Sequence, residues 1–239
     1  MRTARVASVL GRRIVGFSVL LLVAGIGTAQ QKPPQPNYAV AQPMPTDREE
    51  ASYAIYSKLL PGNQIEWGDA ARTQWLLEDT TVAVSLEGVC ASGGPMAGSM
   101  NPHQSVKPPQ ERQAEFAEVL ADYDAHCHDR YQLDPSKFHL SLPIRMLDEE
   151  ARKRYVNGVM HYMPPANDIM RAPATPDEFK GAAGLHSFTA VYFNRTHTLA
   201  MTEIGMYCGG LCGMWRWVVL EKKNDQWHAL PWVFGYTIS

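Results

Sequence analysis

From position 185 onward apolar and polar residues alternate with a period of two, over 186–193, 198–207, 214–223 and 226–234. That period predicts four half-buried strands. Asn194-Arg195-Thr196-His197 and Asn224-Asp225 supply turn residues between neighbouring runs, and short turns join strands that run antiparallel. Upstream the period lengthens. Phe116, Val119, Leu120, Tyr123 and Cys127 recur at spacings of three and four inside 111–128, which makes one apolar stripe on a helix. Ala51, Ile55, Tyr56 and Leu59 predict a second helix, opened by Thr46-Asp47-Arg48-Glu49 in the pattern of a capping box and stopped by Pro61-Gly62. A charged helix is expected over 148–156, and Thr175-Pro176-Asp177-Glu178 opens a further helical turn with a second capping box. Trp75, Leu76 and Leu77 lead into a strand at 80–89, where Val82, Val84 and Leu86 alternate; another is expected at 137–142, with Phe138, Leu140 and Leu142 stopping at Pro143. The fold class is α+β: helices packed on one face of a C-terminal four-stranded antiparallel sheet, a meander.

The N-terminal pattern is of a different kind. Arg2, Arg5, Arg12 and Arg13 precede an apolar run at 14–26, and Gly27-Thr28-Ala29 places small residues at a cleavage position. Residues 1–29 therefore read as a secretory signal peptide. The run is shorter than the roughly 20 residues a span needs, so no transmembrane anchor is expected after cleavage. Pro33, Pro34, Pro36, Pro43 and Pro45 make 30–45 a proline-rich linker, leaving 46–239 as one α+β domain. The expected location is periplasmic or secreted. A net charge of −2 over 239 residues gives no basic face for nucleic acid. The partner is left as a protein or a small molecule of unknown identity.

Export changes the reading of the cysteines. Four of them in an oxidising compartment favour disulfides. Cys208 and Cys212 flank Gly209-Gly210-Leu211 between two strands, and a glycine-rich turn can bring them within bonding range. Cys90, at the end of a strand, and Cys127, on the apolar stripe, form the second expected pair. A competing reading uses the neighbours: Met206 with Cys208, and Cys212 with Met214, are two apart and share a strand face. Two thiolates and two thioethers suit Cu(I). Apart from that alternative no cofactor is expected. His126 and His128 stand about 200° apart around a helix and do not chelate together; they read as cations at the helix C-terminus.

No Gly-x-Ser-x-Gly elbow, phosphate loop or zinc-protease motif occurs in the chain. Catalytic residues are therefore unassigned. The enzyme alternative rests on the long 91–109 loop with His103. Glu203 is expected to point outward from its strand. Trp215, Trp217 and Trp227, with Trp232 and Tyr236 nearby, read as a core layer, or as a binding platform if their face is exposed.

Phe188-Thr189-Ala190-Val191-Tyr192-Phe193-Asn194, Thr198-Leu199-Ala200, Tyr207-Cys208-Gly209-Gly210-Leu211-Cys212-Gly213, Val219-Leu220-Glu221-Lys222-Lys223-Asn224 and Trp227 together resemble a C-terminal Cys-Gly β-meander of exported bacterial proteins of unknown activity. The resemblance covers roughly the last quarter of the chain. It implies a bacterial exported protein and carries no catalytic residue. The expectation is a non-enzymatic binding or envelope-interaction domain stapled by disulfides.

Overall fold

The computed structural model describes residues 40–62, 72–82, 84–86, 89–91, 101–160, 175–209 and 212–238, with the backbone alone at 84–86, 89–91, 160 and 232–238. The expected signal peptide, and the linker up to residue 39, lie outside the described residues. The chain is docked before residue 46. Gln42 donates its amide to Arg130 O at 2.9 Å, its carbonyl accepts from Gln132 N at 2.9 Å, and Met44 is buried.

Helix α1 (Thr46–Leu59) follows Pro45, whose φ of −59° is already helical and whose side chain offers no cap. The expected capping box does not form. Thr46 lies inside the helix, and Glu49 instead meets Lys137 Nζ at 2.5 Å. Acidic Asp47 and Glu49 in the first turn and Lys58 in the last still complement the helix dipole. Helix α2 (Pro102–Ser105) is one turn, capped by Asn101 Oδ1 accepting from His103 N at 2.9 Å. Helix α3 (Gln113–His126) buries Phe116, Val119 and Tyr123, with Cys127 buried just beyond it. Helix α4 (Glu149–Met160) is capped by Asp148 Oδ1, which accepts from Ala151 N at 2.8 Å. At 177–179 the chain makes a single tight turn after Pro176 without a side-chain cap, so the second capping box is absent too.

The principal sheet is mixed, not a four-stranded antiparallel meander. Its strands are β1 (Trp75–Glu78), β4 (Ile144–Leu147), β5 (Leu185–Phe188), β6 (Tyr192–Phe193), β7 (Leu199–Gly209), β8 (Cys212–Lys223) and β9 (Gln226–Ile238), in the order β4-β1-β5-β7-β8-β9 with β6 also on β7. The expected C-terminal runs do pair antiparallel, but β1 extends them by pairing parallel with both β5 and β4. All four residues of β1 are buried, as a parallel strand covered on both faces must be. The expected strand at 80–89 is instead a bridge at Thr80 and a separate hairpin of β2 (Val84–Leu86) with β3 (Val89–Ala91). No strand forms at the expected 137–142; β4 begins only after Pro143, whose carbonyl accepts from Trp75 N at 2.9 Å. The turn between β8 and β9 is a two-residue one, Asn224 and Asp225 both left-handed at φ 51° and 59°, whose twist matches the strands.

Helices cover both faces, not one. Tyr56 of α1 lies against Phe188, 4.4 Å between centroids with the rings tilted by 30°, and Phe188 pairs with Ile204. Tyr123 of α3 meets Trp217 edge-on at 5.6 Å, and Trp217 pairs with Glu203. Ile204 and Glu203 are successive residues of β7, so they point to opposite faces. Trp215, two residues from Trp217, clusters with Tyr207, Leu185, Leu76 and the Ala151, Tyr155 and Val159 side chains of α4. Thus α3 and α4 share one face and α1 takes the other. Gly205 is required beneath Trp215: a Cβ there would meet Trp215 Nε1 at 2.6 Å.

Candidate functional site

Strand β6 is two residues long and leaves the sheet edge there short. Bare edge amides invite unwanted pairing unless they are covered. Here the Asp122 carboxylate of α3 covers one: its Oδ2 accepts from Phe193 N at 2.8 Å. The same carboxylate receives Arg48 of α1 through both guanidinium nitrogens, at 3.0 and 3.3 Å, the bidentate geometry that arginine favours. His126 Nδ1 lies 3.0 Å from Asp122 Oδ1. Asp122 therefore ties α1, which lies on one face, to α3, which lies on the other, around the open edge. Burial alone would lower the Arg48 guanidinium, but the Asp122 hydrogen bonds and charge outweigh it and hold the group above its ordinary value.

One turn earlier on α3, Glu118 repeats the arrangement. Its Oε2 accepts from Arg195 N at 3.2 Å and its Oε1 pairs with Arg195 Nη2 at 3.0 Å. The turn at 194–198 is shaped by Asn194, whose Oδ1 accepts from Thr198 N and Leu199 N, both at 2.9 Å, and whose Nδ2 donates to Thr196 and Thr198. That turn holds His197 in the left-handed region at φ 53° and lays its ring on Phe193, 4.7 Å between centroids and 13° between planes.

Between these groups lies a cleft of about 360 Å3, lined by Arg48, Glu118, Asp122, Arg195 and His197 around a largely apolar wall of Ala121, Ala125 and Phe193. Both carboxylates in it are engaged by arginine, and the lining includes no serine, threonine, cysteine or lysine. The cleft thus sets a largely apolar wall beside a guanidinium rim, with the His197 imidazole stacked on that wall.

The residues singled out from sequence fall elsewhere. His103 is outside this cleft: its Nε2 meets Asp124 Oδ1 at 2.8 Å with both side chains substantially exposed. Residues 92–100 of its loop lie outside the described residues. Trp215, Trp217 and Trp227 are all buried and form no exposed platform, while the Trp232 and Tyr236 side chains lie outside the described residues. Glu203 is buried rather than outward-facing, because α3 covers its face of the sheet. After desolvation itself, the Glu203 charge helps to push the Tyr123 phenol above its ordinary range. Cys208 and Cys212 are joined, with Cα atoms 5.1 Å apart. Cys127 is disulfide-bonded, and the side chain of Cys90, its expected partner, lies outside the described residues. Met206 and Met214 are direct cross-strand partners. His126 joins the Asp122 cluster, and His128 is half-buried beyond the helix end.

Arg48, Glu118, Asp122, Phe193, Arg195 and His197 were not recognisable as a site from sequence. The available signal was the i, i+4 pair Glu118 and Asp122 beside the small residues Ala121 and Ala125, an unusual border for an apolar stripe. Among the described residues no three His, Cys, Asp or Glu side chains are placed to hold a metal ion, and no helix is long and apolar enough to cross a membrane. Comparison of the chain with protein-family models, with curated proteins and with solved structures finds no match.

Proposed function

We propose that this chain is an exported bacterial binding domain without catalytic activity, and that the cleft beside β6 is where it takes its ligand. The observation that carries this reading is the pairing of every carboxylate in the cleft with arginine around an apolar wall. Such a site orients a bound group: both carboxylates are engaged by arginine, and the one imidazole in the lining, His197, lies flat on Phe193 with no carboxylate partner among the described residues to set it up as a base. The ligand chemistry that fits is a small amphiphilic anion, for example an aromatic carboxylate. Its ring would lie against Ala121, Ala125 and the stacked Phe193–His197 pair, and its carboxylate would meet Arg195, whose side chain is 85% exposed. Export is supported by the basic and apolar pattern of residues 1–29.

An amide-resolved titration with a panel of aromatic carboxylates tests the cleft. The expected result is saturable shifts at residues 193–197 and at Ala121 and Ala125, abolished by the space-filling variant Ala125→Trp. Shifts that map elsewhere, or that persist unchanged in Ala125→Trp, would overturn the assignment. Amino-terminal sequencing of exported protein should begin near Gln30; intact Met1 in a membrane fraction contradicts export with cleavage.

A further inference from the structure

At the far end of the β7–β8 ribbon from the cleft, four sulfur-bearing side chains share one sheet face. Met206 and Met214 are directly opposed across the two strands, which sets their Cβ atoms about 5 Å apart. Cys208 and Cys212 follow at two-residue steps and close the tip. Met206, Cys208 and Cys212 form a buried cluster of their own, separate from both apolar cores, and Met214 is buried beside them. Methionine as core filler would merge with the surrounding aliphatics; here its neighbours in the cluster are sulfur. Gly184 helps to make the space, since a Cβ on it would stand 2.9 Å from Met206 Cγ and 3.3 Å from Met206 Sδ.

We propose that this tip is a redox-gated site for a soft monovalent metal ion, Cu(I), closed in the disulfide form and opened by reduction. The ligands are the Cys208 and Cys212 thiolates with the Met206 and Met214 thioethers. Opening requires a dithiol donor. A donor thiolate attacks Cys212 Sγ, which is more exposed than Cys208 at 9% against 1%. The donor–Cys212 bond forms, the Cys208–Cys212 bond breaks and Cys208 leaves as thiolate. The donor's second thiol then displaces Cys212, so that two electrons and two protons have passed to the protein and the donor has become a disulfide. Each cysteine that ligates Cu(I) gives up its proton to solvent, and the metal keeps its oxidation state. Zinc is disfavoured, because a closed zinc site needs about four thiolate, imidazole or carboxylate donors and no group of even three stands together among the described residues. The two thioethers select a softer ion. This site is independent of the cleft, and each stands or falls alone.

The test is anaerobic titration of the full exported chain with Cu(I) against a chromophoric chelator, before and after reduction with a phosphine. The reduced protein is expected to take up one Cu(I), and the oxidised protein none. Cys208→Ser with Cys212→Ser, which retains Cys90 and Cys127, should lose the high-affinity uptake. Met206→Leu with Met214→Leu keeps side-chain volume and the disulfide, so its fold is checked in the oxidised state; its reduced form should bind at least about tenfold more weakly. Absorption at the copper edge should show a sulfur-only shell. Equal uptake by the reduced wild-type protein and the double serine variant, undiminished affinity in the double leucine variant, or a shell of nitrogen and oxygen would each overturn the proposal.

Discussion

Helices α3 and α4 lie on the same face of the sheet and hold to it by different means. The inward side of α3 is aromatic: Tyr123 meets Tyr192 at 5.1 Å and Trp217 at 5.6 Å. Its polar groups sit at the border of that contact, where partners are within reach, as Asp122 and Glu118 show. It is also held covalently just past its end, through Cys127. Helix α4 packs Ala151, Tyr155 and Val159 on Leu76, Leu185, Tyr207 and Trp215, and its charges pair outward, Lys153 with Glu149 and Glu150, and Arg154 with Glu178. Near this cluster are polar groups with less compensation. Tyr207 Oη and Trp215 Nε1 are buried with no hydrogen-bond partner among the described residues, and Glu78 is buried at the end of β1. Equal apolar cover does not mean equal security: a buried polar atom without a partner costs about 1–3 kcal/mol, and such regions supply the openings of lowest free energy.

The covalent tie on the α3 side gives the largest expected effect. With Cys208 and Cys212 joined, Cys90 is the remaining cysteine of the four. Non-reducing peptide mapping should recover Cys90 with Cys127. Closing the chain between them restricts the unfolded state by about 4 kcal/mol in the chain-entropy account, so Cys90→Ser with Cys127→Ser should lose about that much in denaturant unfolding. A Cys90 peptide linked to Cys208 or Cys212 refutes the pairing.

Next comes the carboxylate at the edge. Asp122→Ala strands Arg48 and the Phe193 amide together, and Arg48 is only 11% exposed. A loss of about 3 kcal/mol is expected, with faster exchange at Phe193 N–H. A loss below about 1 kcal/mol would show that Arg48 finds solvent and that the clamp is a surface pair.

The two helices also differ in how far the chain announces them. The α3 stripe is local, and a period of 3.6 exposes it in any window. The pairing of β1 with β4 and β5 is neither local nor alternating: four buried residues in a row look the same in a strand or a buried helix. Pro143 was misleading because proline ends one kind of strand and precedes another. The cleft was less visible still. Arg48 is 74 residues from Asp122, and Arg195 is 77 from Glu118; ordinary surface letters become a site only when the sheet edge brings them together. Glu203 was misplaced for a related reason. Strand alternation tells which residues share a face, and only the helix packing tells which face is wet.

On the α4 side the sign reverses. Burial raises the Glu78 carboxyl to about 7, against the pull of Arg152 and Arg130 and with the help of Asp79. The folded state thus holds its proton more tightly than the unfolded chain, whose carboxyl has the ordinary value of 4.5. Stability from this group is full below pH 4.5, falls as pH rises toward 7 and is flat above. Glu78→Gln should therefore leave stability near pH 4 almost unchanged and raise it above pH 7 by up to about 3 kcal/mol. The difference between variant and wild type, measured by chemical unfolding across that range, isolates Glu78 from the other carboxylates. A difference that does not change with pH would mean that Arg152 and Arg130 already neutralise it.

The smallest expected effect concerns what fixes α4 to the sheet. Tyr155 is buried, and its hydroxyl donates to Tyr207 O at 3.3 Å, a long bond, while its ring meets Phe179 edge-on at 5.4 Å. Desolvation, then the Tyr207 phenol, pushes its own phenol above the ordinary range, so the group stays a neutral donor. If packing holds α4, Tyr155→Phe removes only that bond and should cost about 1 kcal/mol or less, whereas the control Tyr155→Ala leaves a cavity beneath the helix and should cost about 3 kcal/mol. Hydrogen exchange distinguishes the sources further. In the phenylalanine variant the amides of α4 should exchange nearly as in the wild type, and in both proteins faster than those of α3, which has its clamp and its covalent tie. Slower exchange in α4 than in α3 would reverse the ranking of the two helices and remove the orphaned Tyr207 and Trp215 groups as a reason for weakness on that side.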